Sequence, residues 1–102
     1  MAQFDVYENL DVTSAAEYPY WLDIQHAFHG TLHTRLVVPL SKSCTHAMQS
    51  LEPLVNVKGK QLRAVIPEMV ALPVTILGKR VDNLSDNRSE FINAVDFLIT
   101  GF

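Results

Sequence analysis

Ser85-Asp86-Asn87-Arg88-Ser89-Glu90-Phe91-Ile92-Asn93-Ala94-Val95-Asp96-Phe97-Leu98-Ile99-Thr100-Gly101-Phe102 reads as one amphipathic helix, expected over about residues 86–100. A step of about 100° per residue puts Ala94, Leu98, Phe91, Phe102, Val95, Ile99 and Ile92 on one side, and Asn93, Asp96 and Thr100 on the other. The apolar arc is wider than one supporting sheet requires, so part of it is available to a second surface. Phe91, Val95 and Leu98 are expected on the sheet, with Ile92 and Ile99 toward the free edge. The last turn holds no Lys, Arg or His to complement the helix dipole, and with a terminal carboxylate on Phe102 the tip is apolar and anionic. Two readings of that tip stand side by side. Gly101 can close the helix in the left-handed conformation with Phe102 folded back on Phe97, or Phe102 can face a partner.

Upstream the pattern changes to strands. Gln3 to Tyr7 alternates with Phe4 and Val6 on one face, and Tyr18 to Gln25 alternates again. Arg35 to Leu40 is an apolar run closed by Pro39-Leu40 that should pair with the second strand. Leu54 to Val57 and Gln61 to Val65 flank Lys58-Gly59-Lys60, a hairpin signal. Met69 to Leu77 is a further β-rich run, broken by Pro73 and expected to end at Gly78. Between these lie three connections. Glu8 to Glu17 is small and polar and reads as a mobile flap, His26 to His33 as a loop, and Ser41 to Ser50 as a polar segment with room for a helical turn. Strands followed by one late helix predict an α+β fold, a small antiparallel β barrel-like domain over residues 1–102 with a C-terminal α-helix.

Length and composition narrow the function classes. The 102 residues suffice for one domain with one core, and 48% hydrophobic against 19% charged residues argues for a folded chain. A formal net charge of -3 removes the long-range attraction that a nucleic-acid binder exerts on phosphates. Cys44 has no second cysteine to pair with, and Met1 to Asp11 lacks a basic, apolar leader, so the cytoplasm is the expected compartment. No apolar run approaches the ~20 residues of a membrane span.

Chemistry-bearing residues are sparse. His26, His29 and His33 have helical metal-ligand spacing, yet Gly30 interrupts them and no cysteine pair supports a structural zinc site, so no metal and no cofactor is expected. Cys44 and His46 lack a third group to orient the imidazole, and the carboxylates Asp5, Asp23, Glu52, Glu68, Asp82 and Asp96 are scattered. Arg35 and Arg63 with a loop histidine could form a metal-free ribonuclease site, and structural salt links explain the same arginines.

Taken in order, Gln3-Phe4-Asp5-Val6-Tyr7, Leu22-Asp23-Ile24-Gln25, Arg35-Leu36-Val37-Val38-Pro39-Leu40, Pro73-Val74 up to Leu77-Gly78, and Leu84-Ser85 before a helix ending in Gly101 plus one apolar residue resemble the CcdB family. That resemblance implies a non-enzymatic, dimeric toxin of a type II toxin-antitoxin module that binds the DNA gyrase A subunit and traps the cleaved gyrase-DNA complex. It implies neutralisation by an antitoxin whose disordered C-terminal segment folds onto the toxin, and operator repression in which DNA is met only through the antitoxin. Carried over by position, the gyrase contact falls on Asp96, Ile99, Thr100, Gly101 and Phe102, flanked by Phe28 and His29. The family's tip carries an aromatic, glycine and isoleucine, where this chain has Thr100, which cannot stack on an arginine. The flanking loop in the family is aliphatic, whereas His29 is polar and titratable. Two alternatives stand beside the gyrase poison: an mRNA endoribonuclease of the MazF and Kid type, which is expected to share the small barrel, and a homologue that binds antitoxin but no longer poisons gyrase. The antitoxin contacts are left open, with the Glu8 to Glu17 and Ser41 to Ser50 loops as candidates.

Overall fold

The computed structural model describes residues 2–26, 33–43 and 50–101. Its strands are β1 (Asp5–Asn9), β2 (Tyr20–Asp23), β3 (Thr34–Ser41), β4 (Leu54–Val57), β5 (Lys60–Ala64), β6 (Val70–Pro73) and β7 (Leu77–Asn83), followed by the helix α1 (Arg88–Thr100). All pairings are antiparallel, in the order β4-β5-β3-β2-β1-β7. The long β3 organises the sheet: one edge pairs with β2, while the other is shared between β6 at Thr34–Val37 and β5 at Leu40–Ser41. Splitting one edge between two strands curls the sheet into a half-barrel, and its apolar face holds Val6, Leu22, Val38, Leu40, Val55, Val57, Leu62 and Ile66. The expected α+β architecture with one late helix is therefore the observed one.

The hairpin closes as its residues demand. Lys58 (φ 51°) and Gly59 (φ 82°) both take the left-handed region, the two-residue turn whose twist matches that of paired strands.

Four expectations change. The first strand begins at Asp5, because Phe4 turns to φ 70° while its N–H donates to Asp23 O at 2.6 Å and its carbonyl accepts from Leu84 N at 2.8 Å. That detour drives the Phe4 ring inward, 5.4 Å from the Phe91 ring. The Glu8 to Glu17 connection is a set of hydrogen-bonded turns rather than a flap. Asp11 accepts from Thr13 N and Oγ1 and from Ser14 Oγ, while Asn9 Nδ2 donates to Ser14 Oγ and Tyr18 O. The small polar residues that weaken periodicity are the ones that build such turns. Gly78 does not end a strand but lies inside β7, which runs on through Lys79 to Asn83. Finally, Leu98 lies on the buried side of α1 by angle yet is 39% exposed, because the helix has run past its support.

Gly78 is required by proximity: a Cβ there would lie 2.8 Å from Glu8 O and 2.9 Å from Leu10 Cδ2. The clash is with backbone, so β7 would have to move off β1. Gly78→Ala is expected to cost about 1–3 kcal/mol, read as a lower denaturant midpoint at unchanged m-value.

The polar face carries an ionic cluster. Asp5, 4% exposed, accepts from Arg80 Nε at 2.8 Å, Asn83 Nδ2 at 2.9 Å, Ala2 N at 2.9 Å and Tyr7 Oη at 3.2 Å, tying β1 to β7. Burial alone would raise the Asp5 pKa, but the hydrogen bonds from Asn83, Arg80 and Ala2 outweigh it and hold it below the ordinary 3.8. Burial and the neighbouring carboxylate push Tyr7 up to about 12, so it stays a donor. A carboxylate lowered on folding stabilises the protein above its unfolded pKa and loses that contribution as pH falls through the folded value. The stability contribution of Asp5 is therefore expected to vanish below pH 3.8. The check is thermal melts from about pH 5 to 2, in which Asp5→Asn should show a shallower acid loss than the parent chain.

Candidate functional site

α1 is held at its beginning and free at its end. Phe91 and Ala94 are each 1% exposed, Val95 packs partly buried beside them, and the helix leans on the turn Ile66–Glu68. Arg88 Nη1 reaches Gln3 Oε1 at 3.3 Å, and Asn87 Nδ2 donates to Glu90 Oε1 at 3.1 Å, so the first turn is tied to the body of the protein and to itself. Beyond Ala94 no residue of α1 is fully buried, Val95 and Phe97 being half-buried. Ile99, at the edge of the apolar arc, is 75% exposed, and Asp96 and Thr100 on the polar side are exposed as well.

The helix terminus has a defined shape. Gly101 sits at φ 79° and ψ 13°, and its N–H donates to Phe97 O at 2.9 Å, the left-handed closure expected of a glycine here. Thr100 Oγ1 donates to Asp96 O at 2.6 Å, so its hydroxyl is committed to the helix and not offered outward. With no basic residue in the last turn, the end of α1 presents an exposed aliphatic side chain amid carbonyl oxygens and the Asp96 carboxylate. Asp96, Ile99, Thr100 and Gly101 are thus brought together. Phe28, His29 and Phe102 lie outside the described residues, as do Cys44 and His46. The fold-back of Phe102 onto Phe97 falls there too.

Among the described residues no three His, Cys, Asp or Glu side chains converge as a metal set. No helix is long and apolar enough to cross a membrane, among the described residues. A family model described as CcdB protein matches residues 3–101. The chain belongs to the CcdB family. CcdB proteins are the toxins of type II toxin-antitoxin modules; they target DNA gyrase, and they are poisons of that enzyme rather than enzymes themselves. Gyrase and an antitoxin are therefore the partners of a chain of this family.

Membership agrees with the state of the two arginines that a ribonuclease reading needs. Arg35 is 0% exposed, with Nε and Nη2 on Asp23 at 2.8 and 3.1 Å and Nη2 also on Gln25 O at 2.7 Å. Arg63 is 6% exposed and donates to the carbonyls of Ser43 and Glu52. Neither guanidinium is presented to an RNA phosphate, and the structural salt link expected for Arg35 is what the CcdB chain contains.

Sequence reasoning missed one feature of this CcdB surface. An open groove of about 560 Å³ is lined by Asn9, Leu10, Asp11, Trp21, Leu72, Thr75 and Ile76. Its signal was present as Leu10, a large apolar residue inside a polar segment, 57% exposed.

Proposed function

We propose that this CcdB chain poisons gyrase with the free end of α1, through Ile99, Thr100, Gly101 and Phe102 with Asp96 one turn back, and with Phe28 and His29 alongside. The observation that carries this reading is the exposure of Ile99, 75%, on a helix anchored by Phe91 and Ala94 at 1% each. A large aliphatic group held out by a rigid, closed helix end has lost its conformational freedom before binding, so less is lost on docking. Two copies of the chain place their tips together and enter the cleft of the gyrase A subunit dimer. Binding there favours the state in which gyrase holds cut DNA, so the breaks arise from the target's own chemistry. The antitoxin's disordered C-terminal segment folds onto the toxin and removes it from gyrase, and operator DNA is reached only through the antitoxin. The cytoplasm is the compartment this requires.

The test is gyrase-dependent DNA cleavage with the parent chain and with Ile99→Asp. Cleavage by the parent that is lost in the variant supports the tip as the contact. Equal cleavage by both assigns the contact elsewhere. Harmless expression of the parent with tight antitoxin binding favours the non-poisoning homologue.

A further inference from the structure

We propose that Gln3 and Phe4 are positioning residues of this toxin: they strap the base of α1 to the ends of β2 and β7 and so fix where the helix tip meets gyrase, a role that rests on the tip being the gyrase contact. Phe4 N donates to Asp23 O at 2.6 Å at the end of β2, and Phe4 O accepts from Leu84 N at 2.8 Å just past β7. Leu84 O in turn accepts from Asn87 N at 2.9 Å, closing the turn from which α1 starts. Gln3 links the same three elements with its other groups. Its Nε2 donates to Ile24 O at 3.1 Å, its carbonyl accepts from Asn83 Nδ2 at 3.2 Å, and its Oε1 accepts from Arg88 Nη1 at 3.3 Å in the first turn of α1. Inside, the Phe4 ring lies 5.4 Å from the ring of Phe91, the first buried side chain of the helix.

The start of α1 is located from outside, because no side chain caps it or the turn before it. With the turn Ile66–Glu68 as the other support, the strap defines the helix axis. Its backbone shows how firmly it is held. Phe4 sits at φ 70°, a conformation unfavourable for a bulky residue that persists only where the surroundings over-determine it. The surroundings here are the two backbone hydrogen bonds and the buried ring, and relaxing Phe4 to an extended conformation would break that set. The functional consequence is leverage. Ile99 lies about 16 Å along the helix from Arg88, so a tilt of about 5° at the base moves the tip by about 1.4 Å, more than the ~0.5 Å within which a binding constellation has to be held.

The experiment measures affinity for the gyrase A subunit with the full chain and its variants, at a temperature where circular dichroism shows each one folded. Phe4→Leu keeps an apolar side chain but loses the ring contact, and at 3% exposure Phe4 is too deeply buried to touch gyrase itself. Gln3→Met keeps the length of the side chain and loses both of its hydrogen bonds. Asn9→Ala is the control, since it removes side-chain hydrogen bonds to Ser14 and Tyr18 at the opposite end of β1. Ile99→Asp reports on the tip directly. Phe4→Leu and Gln3→Met are each expected to weaken binding by about fivefold, with Asn9→Ala unchanged. Arg88→Ala added to Gln3→Met should cost little further affinity, because the two residues act through one hydrogen bond. If Phe4→Leu does not fold, the half-buried Gln3 carries the same expectation through Gln3→Met. Binding lost in Ile99→Asp but equal to the parent in Phe4→Leu and Gln3→Met overturns the positioning role. Equal weakening by Asn9→Ala also overturns it, by assigning the loss to general stability. Parent-like binding by Ile99→Asp overturns the tip contact, and this role with it.

Discussion

Arg35→Met is expected to lower the unfolding free energy by about 3–5 kcal/mol. The Asp23 carboxylate it abandons is 0% exposed and would keep only the Gln25 N–H as a donor. Burial already raises the pKa of Asp23 against the opposing pull of Arg35, so without the guanidinium folding would push it further up. A group whose pKa is raised on folding favours the folded state at low pH and loses that contribution as pH rises through the folded value. The variant should therefore be least stable toward neutral pH and regain stability on mild acidification. Adding Asp23→Leu to Arg35→Met removes the stranded charge and is expected to recover most of the loss. Chemical denaturation of the parent, single and double variants gives the three values, and a double variant no more stable than Arg35→Met would show that the loss comes from packing instead of charge.

Ile99→Asp is expected to abolish growth arrest on expression and to weaken gyrase binding by about 30-fold or more, the loss of one interface anchor. The fold should survive, since the side chain is 75% exposed and touches none of the core. A carboxylate in the last helical turn opposes the dipole by only about 0.3–1 kcal/mol. Stability nearly unchanged with toxicity lost is the pattern of a contact residue. Phe91→Ala gives the opposite pattern, because it leaves a void under Phe4 and costs about 3–5 kcal/mol.

Much of this architecture was legible from periodicity because most elements have one buried face. Val6, Leu22, Val38 and Leu40 alternate as strands must, the Lys58-Gly59 turn has the residues its backbone requires, and Phe91 and Ala94 mark the inner side of α1. The misses have physical causes. β7 carries Lys79, Arg80, Asp82 and Asn83, none buried, so its alternation is hidden, and Gly78 signals a turn when its role is close approach to β1. A structural salt link was expected for Arg35, but its partner Asp23 could not be named, because two charged residues 12 positions apart carry no spacing rule. At the tip, the apolar stripe and the glycine closure could be read. The end of full burial beyond Ala94 could not, since the extent of the sheet is a property of the folded chain.

The central claim is that the end of α1 converts gyrase into the agent of DNA breakage, and deletion of Gly101 and Phe102 tests it most directly. Purified parent chain mixed with gyrase, ATP and supercoiled plasmid is predicted to yield linear DNA after detergent and protease treatment, and the truncated chain, still folded by circular dichroism, is predicted to yield none. Equal linear DNA from both chains would contradict the account.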